Sequence, residues 1–297
     1  MGDLATDTAI EPVTAPGGGA GDEAPAAAGE RRCYTGTLSP DWAIWGPNGG
    51  YIASVALRAA GLATGRARPA SLVAHLLGVG EFAAVDLDVT VLRRSRYATS
   101  TRVTMRQGDR SLVEALVWGV DPGGVALEHD SAPAPEVPGP DDVPSRDERM
   151  AALPADAPRP PVFPFFDNLD QRPLGWLDDW PPAGPLEPVS RSWTRFRPTA
   201  RFDDPWVDAC RLLIPVDTFG WPAVSLAHAH VDPPEAVAVT VDLSVRFHRR
   251  TSDEWLLAEA VSPVAAGGLA AATARVWDRA GALVASGGQT MLCRPAS

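Results

Sequence analysis

The chain has 297 residues, of which 45% are hydrophobic and 21% charged, and its formal net charge is −11. This length predicts one large domain or two smaller ones, and no apolar segment approaches the ~20 residues of a membrane-spanning helix. The acidic balance argues against a protein that coats nucleic acid or anionic lipid, because neutralising phosphates requires a basic surface. All 26 basic side chains are arginines, which excludes reactions that need a lysine amine, such as Schiff-base chemistry and P-loop phosphate binding.

The three cysteines, Cys33, Cys210 and Cys293, are far apart and form no C-x-x-C pair. This spacing excludes a disulfide framework and a cysteine-ligated zinc site, and it favours a reducing compartment. The first residues also lack the basic and apolar regions of a secretory signal. We therefore expect a cytoplasmic protein.

Composition divides the chain into four segments. Residues 1–29 contain almost no large apolar side chain, which predicts a disordered tail. Residues 30–120 have the patterning of a globular unit. Residues 121–160 are rich in Pro and Asp and are interpreted as an extended linker. A second globular unit follows at residues 161–297.

The first unit is predicted to contain a helix followed by strands. Pro47 and Asn48 precede apolar residues at helical spacing, and Gly61 is suited to the end of this helix. Alternation of apolar and polar residues then predicts strands near residues 85–91, 101–105 and 112–118, with a turn at Gly108 and Asp109.

The second unit repeats that order. A short helix is predicted over residues 217–229, and strict alternation predicts a long strand over residues 237–247. Further strands are expected near residues 255–264, 269–277 and 282–293. A helix followed by antiparallel strands, twice, favours an α+β fold in which a sheet wraps around a helix in each unit. The lack of G-x-G-x-x-G and P-loop motifs argues against a nucleotide-binding fold.

Common catalytic motifs are missing from the sequence. The chain has no G-x-S-x-G nucleophile motif and no H-E-x-x-H zinc motif. His228 and His230, with Asp232 nearby, could ligate a metal ion, but solvated loop histidines are the favoured interpretation. We predict no metal site.

Three polar residues in the second unit carry a candidate site. Asp217 precedes the predicted helix, Thr240 lies on the polar face of the long strand, and Gln289 lies near the end of the last strand. Each has an ordinary structural explanation, as a helix cap, a strand former and a neighbour of a glycine bulge. Residue type and spacing alone therefore do not identify a site.

Sequence blocks in both units match the pattern of one family. They are Gly46-Pro-Asn-Gly-Gly-Tyr51, residues 91–96 and 101–107, Val239-Thr-Val-Asp-Leu-Ser-Val-Arg-Phe-His-Arg249, Glu254-Trp-Leu-Leu257, and Gly281-Ala-Leu-Val-Ala-Ser286 with Gln289. In these blocks the chain resembles the acyl-CoA thioesterase II (TesB-like) family of double-hotdog thioesterases. The resemblance covers residues 34–120 and 162–294. It implies two hotdog repeats, each a long helix wrapped by an antiparallel sheet, and a role in lipid metabolism.

The resemblance also implies an activity and its residues. Members of this family hydrolyse the thioester of acyl-coenzyme A, and their catalytic Asp, Thr and Gln fall on Asp217, Thr240 and Gln289. Asp217 would be the general base for a water molecule, which the other two side chains would orient. No cofactor is implied, since coenzyme A is part of the substrate.

Two further contact sets are expected. An oxyanion needs a donor such as a backbone N–H at a helix N-terminus, for which Gly49, Gly50 or the residues after Asp217 are candidates. Arg249 and Arg250 are predicted to contact the coenzyme.

Alternatives remain at the level of sequence. The segment His75-Leu-Leu-Gly-Val-Gly lacks the Arg and Pro of a block that is common in the family's first repeat. This departure motivates an alternative, a hotdog protein that binds acyl-CoA or a partner without turnover. A hotdog dehydratase ranks last, because residue 222 is proline where an Asp-x-x-x-x-His spacing from Asp217 would need histidine. Because hotdog sheets tend to pair edge to edge, a homodimer is also expected.

Overall fold

The computed structural model describes residues 1–13, 24–121, 123, 127–155, 157, 162–177, 181–231 and 236–295. The α-helices are α1 (Leu4–Asp7), α2 (Gly49–Thr64), α3 (Arg146–Ala152), α4 (Pro205–Thr218) and α5 (Gly220–Leu226). The strands are β1 (Ile10–Pro12), β2 (Arg31–Thr37), β3 (Arg68–Leu76), β4 (Ala84–Arg94), β5 (Ala98–Gln107), β6 (Arg110–Val120), β7 (Leu169–Leu174), β8 (Val189–Phe196), β9 (Ala236–Phe247), β10 (Leu256–Ala266), β11 (Leu269–Asp278) and β12 (Leu283–Pro295).

The strands form one 12-stranded sheet whose two halves are related by symmetry. Its order is β1-β2-β4-β5-β6-β3-β9-β12-β11-β10-β8-β7. Each half therefore belongs to one unit of the chain, and the halves join where β3 pairs with β9, from Ser71 opposite Arg246 to His75 opposite Asp242. Helices α2 and α4 pack against each other and against this sheet. The predicted double hotdog is confirmed.

Helix α2 is the central helix of the first repeat. Asn48 caps it by accepting a hydrogen bond from the Tyr51 N–H. Nearly all of its 16 residues are buried, because it lies between the sheet and α4. The helix extends beyond the predicted end at Gly61 to a C-cap at Gly65, where φ is +59°, a conformation that glycine adopts readily.

The central helix of the second repeat begins earlier than predicted. Helix α4 starts at Pro205 with an Asp204 cap and continues through Pro215, so Asp217 lies in its last turn. The expectation that Asp217 begins a helix is therefore wrong. A proline in a helix removes only its own N–H donor, and burial of α4 against α2 and the sheet outweighs that loss. Helix α5 occupies the middle of the predicted segment 217–229.

A bulge in β9 changes which side chains face the core. Opposite β12, Asp242 pairs with Thr290 but Thr240 pairs with Met291, which leaves Val241 as an extra residue. Unbroken alternation would direct Thr240 outward with Asp242. The bulge instead turns Thr240 to the inner face, beside the buried Met291.

The predicted disordered tail is wrong for residues 1–13, whereas residues 14–23 lie outside the described residues. Leu4 of α1 is buried in the main core, and β1 pairs with β2. The indole Nε1 of Trp42 donates to Asp7 Oδ2 at 3.0 Å, and the Tyr51 hydroxyl donates to the Asp7 carbonyl at 2.6 Å. A few apolar and polar anchors therefore order this short polar segment.

The linker covers part of the second repeat. Trp277 Nε1 donates to the Ala132 carbonyl at 2.7 Å, and Trp193 Nε1 donates to the Pro138 carbonyl at 2.9 Å. These contacts pack the described part of the linker against a cluster of Trp193, Trp255, Leu257 and Trp277.

The two end strands are poorly suited to pairing with a further strand. Strand β1 has three residues and ends at Pro12, and β7 contains Pro173. Short strands and prolines disfavour edge-to-edge association. The homodimer stays a prediction. None of the helices in the described residues combines the length and hydropathy that crossing a membrane requires.

Candidate active site

Asp217 lies where the end of α4 meets the start of α2. Its Oδ2 accepts a hydrogen bond from the Gly50 N–H at 2.7 Å and a longer one from Asn48 Nδ2 at 3.3 Å. Its Oδ1 lies 3.0 Å from the Thr240 hydroxyl. The residue is 5% exposed. Both repeats therefore build the surroundings of this carboxyl group.

Thr240 and Gln289 complete the cluster. Thr240 Oγ1 lies 2.9 Å from Gln289 Oε1, and Gln289 Nε2 donates to the backbone carbonyl of Asp217 at 2.6 Å. The three side chains that the sequence singled out are thus brought together, although 72 residues separate Asp217 from Gln289.

The hydrogen inventory of this cluster depends on the protonation of Asp217. Thr240 has one hydroxyl proton but faces two acceptor oxygens, Asp217 Oδ1 and Gln289 Oε1. When Asp217 is ionised, one of those acceptors lacks a donor and can accept from water. When Asp217 is protonated on Oδ1, it donates to Thr240, which donates to Gln289, and every group is satisfied.

Burial raises the pKa of Asp217 above its usual range, while hydrogen bonds from Gly50, Thr240 and Asn48 oppose that shift. A buried carboxyl with a raised pKa holds a proton more readily than an exposed one, as general acids and bases require. The cluster can therefore accept a proton and pass it on.

Glycines make room for these contacts. A Cβ on Gly49 would lie 3.0 and 3.1 Å from the two Asp217 carboxyl oxygens, and one on Gly50 would lie 3.0 Å from Ile214 Cα. The Gly50 N–H is engaged by Asp217, so it is not free for an oxyanion as expected. Among the described residues, no acceptor contacts the Gly49 N–H, which leaves it as the remaining candidate donor at this helix terminus.

Other predicted residues lie away from the cluster. Arg249 and Arg250 follow the far end of β9, about 20 Å from Thr240 at the usual rise per residue. They bond to Asp130 and to the Asp203 carbonyl, respectively. His228 and His230 are exposed, and Asp232 lies outside the described residues.

Sequence reasoning missed two residues of the site. Asn48 was recognised only as a helix start, and its contact with Asp217 spans 169 residues. Gly220 lies so close to Gln289 that a Cβ there would be 1.7 Å from Nε2. The block Gly46-Pro-Asn-Gly-Gly-Tyr51 contained a signal for Asn48, since it belongs to the family pattern, whereas nothing local marked Gly220.

The symmetry-related position in the first repeat is filled. Asp217 in the last turn of α4 faces the start of α2, and Gly61 in the last turn of α2 correspondingly faces Trp206 at the start of α4. A Cβ on Gly61 would lie 2.6 Å from the indole, and one on Gly119 of β6 would lie 3.1 Å from it. Trp206 Nε1 donates to the Arg66 carbonyl at 2.8 Å. The fold thus builds one polar cluster and one apolar plug.

Comparison with known structures places this fold among double hotdogs. The acyl-CoA thioesterase II TesB2 from Mycobacterium marinum is 21% identical, with 99% of each chain covered and a TM-score of 0.73. The tesB protein of Mycobacterium avium subspecies paratuberculosis is 23% identical, with 98% of each chain covered and a TM-score of 0.70. The dehydratase domain of PpsC from Mycobacterium tuberculosis is 18% identical over 97% of this chain and 99% of that one, with a TM-score of 0.55.

Family comparison is more specific than fold. No curated protein sequence matches the chain. The acyl-CoA thioesterase N-terminal domain matches residues 38–120, and the acyl-CoA thioesterase C-terminal domain matches residues 137–293. Together they account for both repeats and for Asp217, Thr240 and Gln289. The chain belongs to the acyl-CoA thioesterase family.

Proposed function

We propose that this chain hydrolyses the thioester of acyl-coenzyme A with a water molecule activated by Asp217. The observation that carries the proposal is the convergence of Thr240 Oγ1 on Asp217 Oδ1 and Gln289 Oε1, at 3.0 and 2.9 Å. A thioester is an activated acyl group, so an oriented and partly deprotonated water suffices as nucleophile. Thr240 and Gln289 supply the orientation that bulk water lacks.

The proton moves in a closed cycle. Ionised Asp217 accepts a proton on Oδ1 as the water oxygen bonds to the thioester carbon. The carbon–sulfur bond then breaks, and the proton held by Asp217 goes to the departing sulfur. The products are a carboxylic acid and the coenzyme thiol, and the reaction uses no cofactor.

Negative charge develops on the carbonyl oxygen during attack. The Gly49 N–H at the start of α2 supports its stabilisation, since the helix dipole adds to the hydrogen bond. Asp217 approaches the same helix terminus, so the base and the oxyanion donor would act on one substrate carbon.

The test is thiol release by the purified chain from acyl-CoAs of several lengths. Asp217→Asn, which keeps the size and the neutral hydrogen bonds, is expected to lower kcat at least ~100-fold. Thr240→Ser, which keeps the hydroxyl, should retain more activity than Thr240→Val. A flat thiol trace across the panel, or full activity in Asp217→Asn, contradicts the proposal.

A second candidate is acyl-CoA binding without turnover. Its supporting observation is the closed cluster, in which both Asp217 oxygens already have hydrogen-bond donors and the residue is 5% exposed. Calorimetric binding of acyl-CoA with no thiol release would favour this candidate. Dehydration has less support, because no histidine among the described residues contacts Asp217.

A further inference from the structure

We propose that Asn48, in the first repeat, is a positioning residue for the reaction. Its side-chain amide holds the Asp217 carboxyl group so that Oδ1 faces Thr240 and is the oxygen that takes the proton. The inference rests on the proposed function and adds a requirement to it, namely that the repeat without the catalytic trio sets the orientation of the base.

Asn48 uses both ends of its amide. Its Oδ1 accepts from the Tyr51 N–H at 2.9 Å. Its Nδ2 lies 3.3 Å from Asp217 Oδ2 and 3.3 Å from Thr218 Oγ1. An aspartate here could cap the helix but could not donate, and a serine has one hydroxyl for both tasks. Asn48 is 7% exposed, so water does not readily replace these contacts.

The two oxygens of Asp217 are therefore not equivalent. Oδ2 receives two N–H donors, from Gly50 and Asn48. Oδ1 faces only the Thr240 hydroxyl, whose single proton is shared with Gln289. Donors that favour the charged form make an oxygen less basic. The proton consequently adds to Oδ1, on the side where Thr240 and Gln289 would hold the water.

No charged group obscures this effect. The groups that face the Asp217 carboxyl are Asn48 and Gly50 from α2, Thr240 from β9 and Gln289 from β12. None is titratable, and no other charged side chain in the described part of the chain contacts the carboxyl. His75 and Asp242 pair across β3 and β9 and lie on the outer face.

The decisive variant is Asn48→Asp. Aspartate caps helices as well as asparagine does, but it replaces the amide donor with a second carboxyl beside Asp217. Two carboxylates that share a site cannot both ionise freely, so one pKa rises strongly. We expect the acid limb of the kcat/KM profile to move up by more than about one pH unit. At pH 7, kcat/KM should then fall at least about tenfold.

Asn48→Ala and a matched control separate positioning from stability. Asn48→Ala removes the cap and the donor without adding charge. It should lower Tm by roughly 2–4 °C and lower kcat with KM nearly unchanged. Asp204→Ala removes the cap of α4, where Asp204 accepts from the Trp206 N–H at 2.8 Å. It should lower Tm similarly but leave the acid limb where it is.

A measurement without turnover keeps this inference distinct from the proposed function. Carbon-13 NMR of the carboxyl groups can follow Asp217, whose signal is identified by its loss in Asp217→Asn. We expect that signal to titrate at higher pH in Asn48→Asp than in the wild type. If the wild type releases no thiol, the proposed function fails while the titration still decides the role of Asn48. If the wild type is active but neither the acid limb nor the titration moves, the role of Asn48 is overturned.

Discussion

Gly220→Ala should impair the site far more than it impairs the fold. Gly220 is the first residue of α5, and a Cβ there would lie 1.7 Å from Gln289 Nε2, 2.8 Å from its Cδ and 3.2 Å from Ala272 Cβ. Ordinary contact with Cβ begins near 3.4 Å. The Gln289 amide must therefore retreat by about 2 Å, because Ala272 blocks the other side of the new methyl group.

That retreat breaks both hydrogen bonds of the amide. They are the bond from Nε2 to the Asp217 carbonyl at 2.6 Å and the contact of Oε1 with Thr240 at 2.9 Å. Misplacement by about 1 Å can lower a rate ~100-fold, so kcat should fall by about that factor. Two buried hydrogen bonds contribute about 1 kcal/mol each. Alanine in a helix recovers about 0.5–1 kcal/mol, so the net loss of stability is about 1 kcal/mol.

The assay is a double-mutant cycle on thiol release. In the Gln289→Ala background the clash is gone, so adding Gly220→Ala should lower kcat by less than about threefold. Thermal melts of all four proteins provide the control for folding. Near-wild-type kcat in Gly220→Ala, or a ~100-fold loss that persists in the Gln289→Ala background, would refute the reasoning.

Three other perturbations test the surrounding structure. Since the pKa of Asp217 is raised, its stabilising contribution is complete below the unfolded value of about 3.9 and is lost as pH rises through the folded value. The Tm of Asp217→Asn relative to the wild type should therefore grow between pH 4 and 8, and a constant difference would contradict this. Gly61→Ala forces a methyl group to within 2.6 Å of the buried Trp206 indole; urea unfolding should show a loss of about 1–3 kcal/mol with kcat/KM retained. Arg211→Met leaves Asp208 buried without its 2.5 Å partner, at a cost of about 3–5 kcal/mol, part of which Asp208→Leu should recover in the double variant.

Local patterns predicted the secondary structure best where one face of a strand is buried. Residues 237–247 alternate strictly, and β9 occupies Ala236–Phe247. The same alternation misassigned the side of Thr240, because a bulge depends on pairing with β12. Strands β2, β3, β7 and β8 were not predicted, since their short or proline-containing segments show weaker alternation. The start of α4 was missed because Pro215 in its interior suggested a break.

The sequence by itself determined two units of helix and antiparallel strands, the family they resemble, and the candidate trio Asp217, Thr240 and Gln289. These features depend on short-range periodicity and on residue identities within blocks. Only the tertiary structure decided that Asp217 ends a helix, that a bulge turns Thr240 inward, and that Asn48 and Gly50 of the other repeat hold the carboxyl group. Those contacts join residues that are 167 and 169 positions apart, and they exist because α2 and α4 pack end to start around a shared sheet. No pattern within a single segment encodes them.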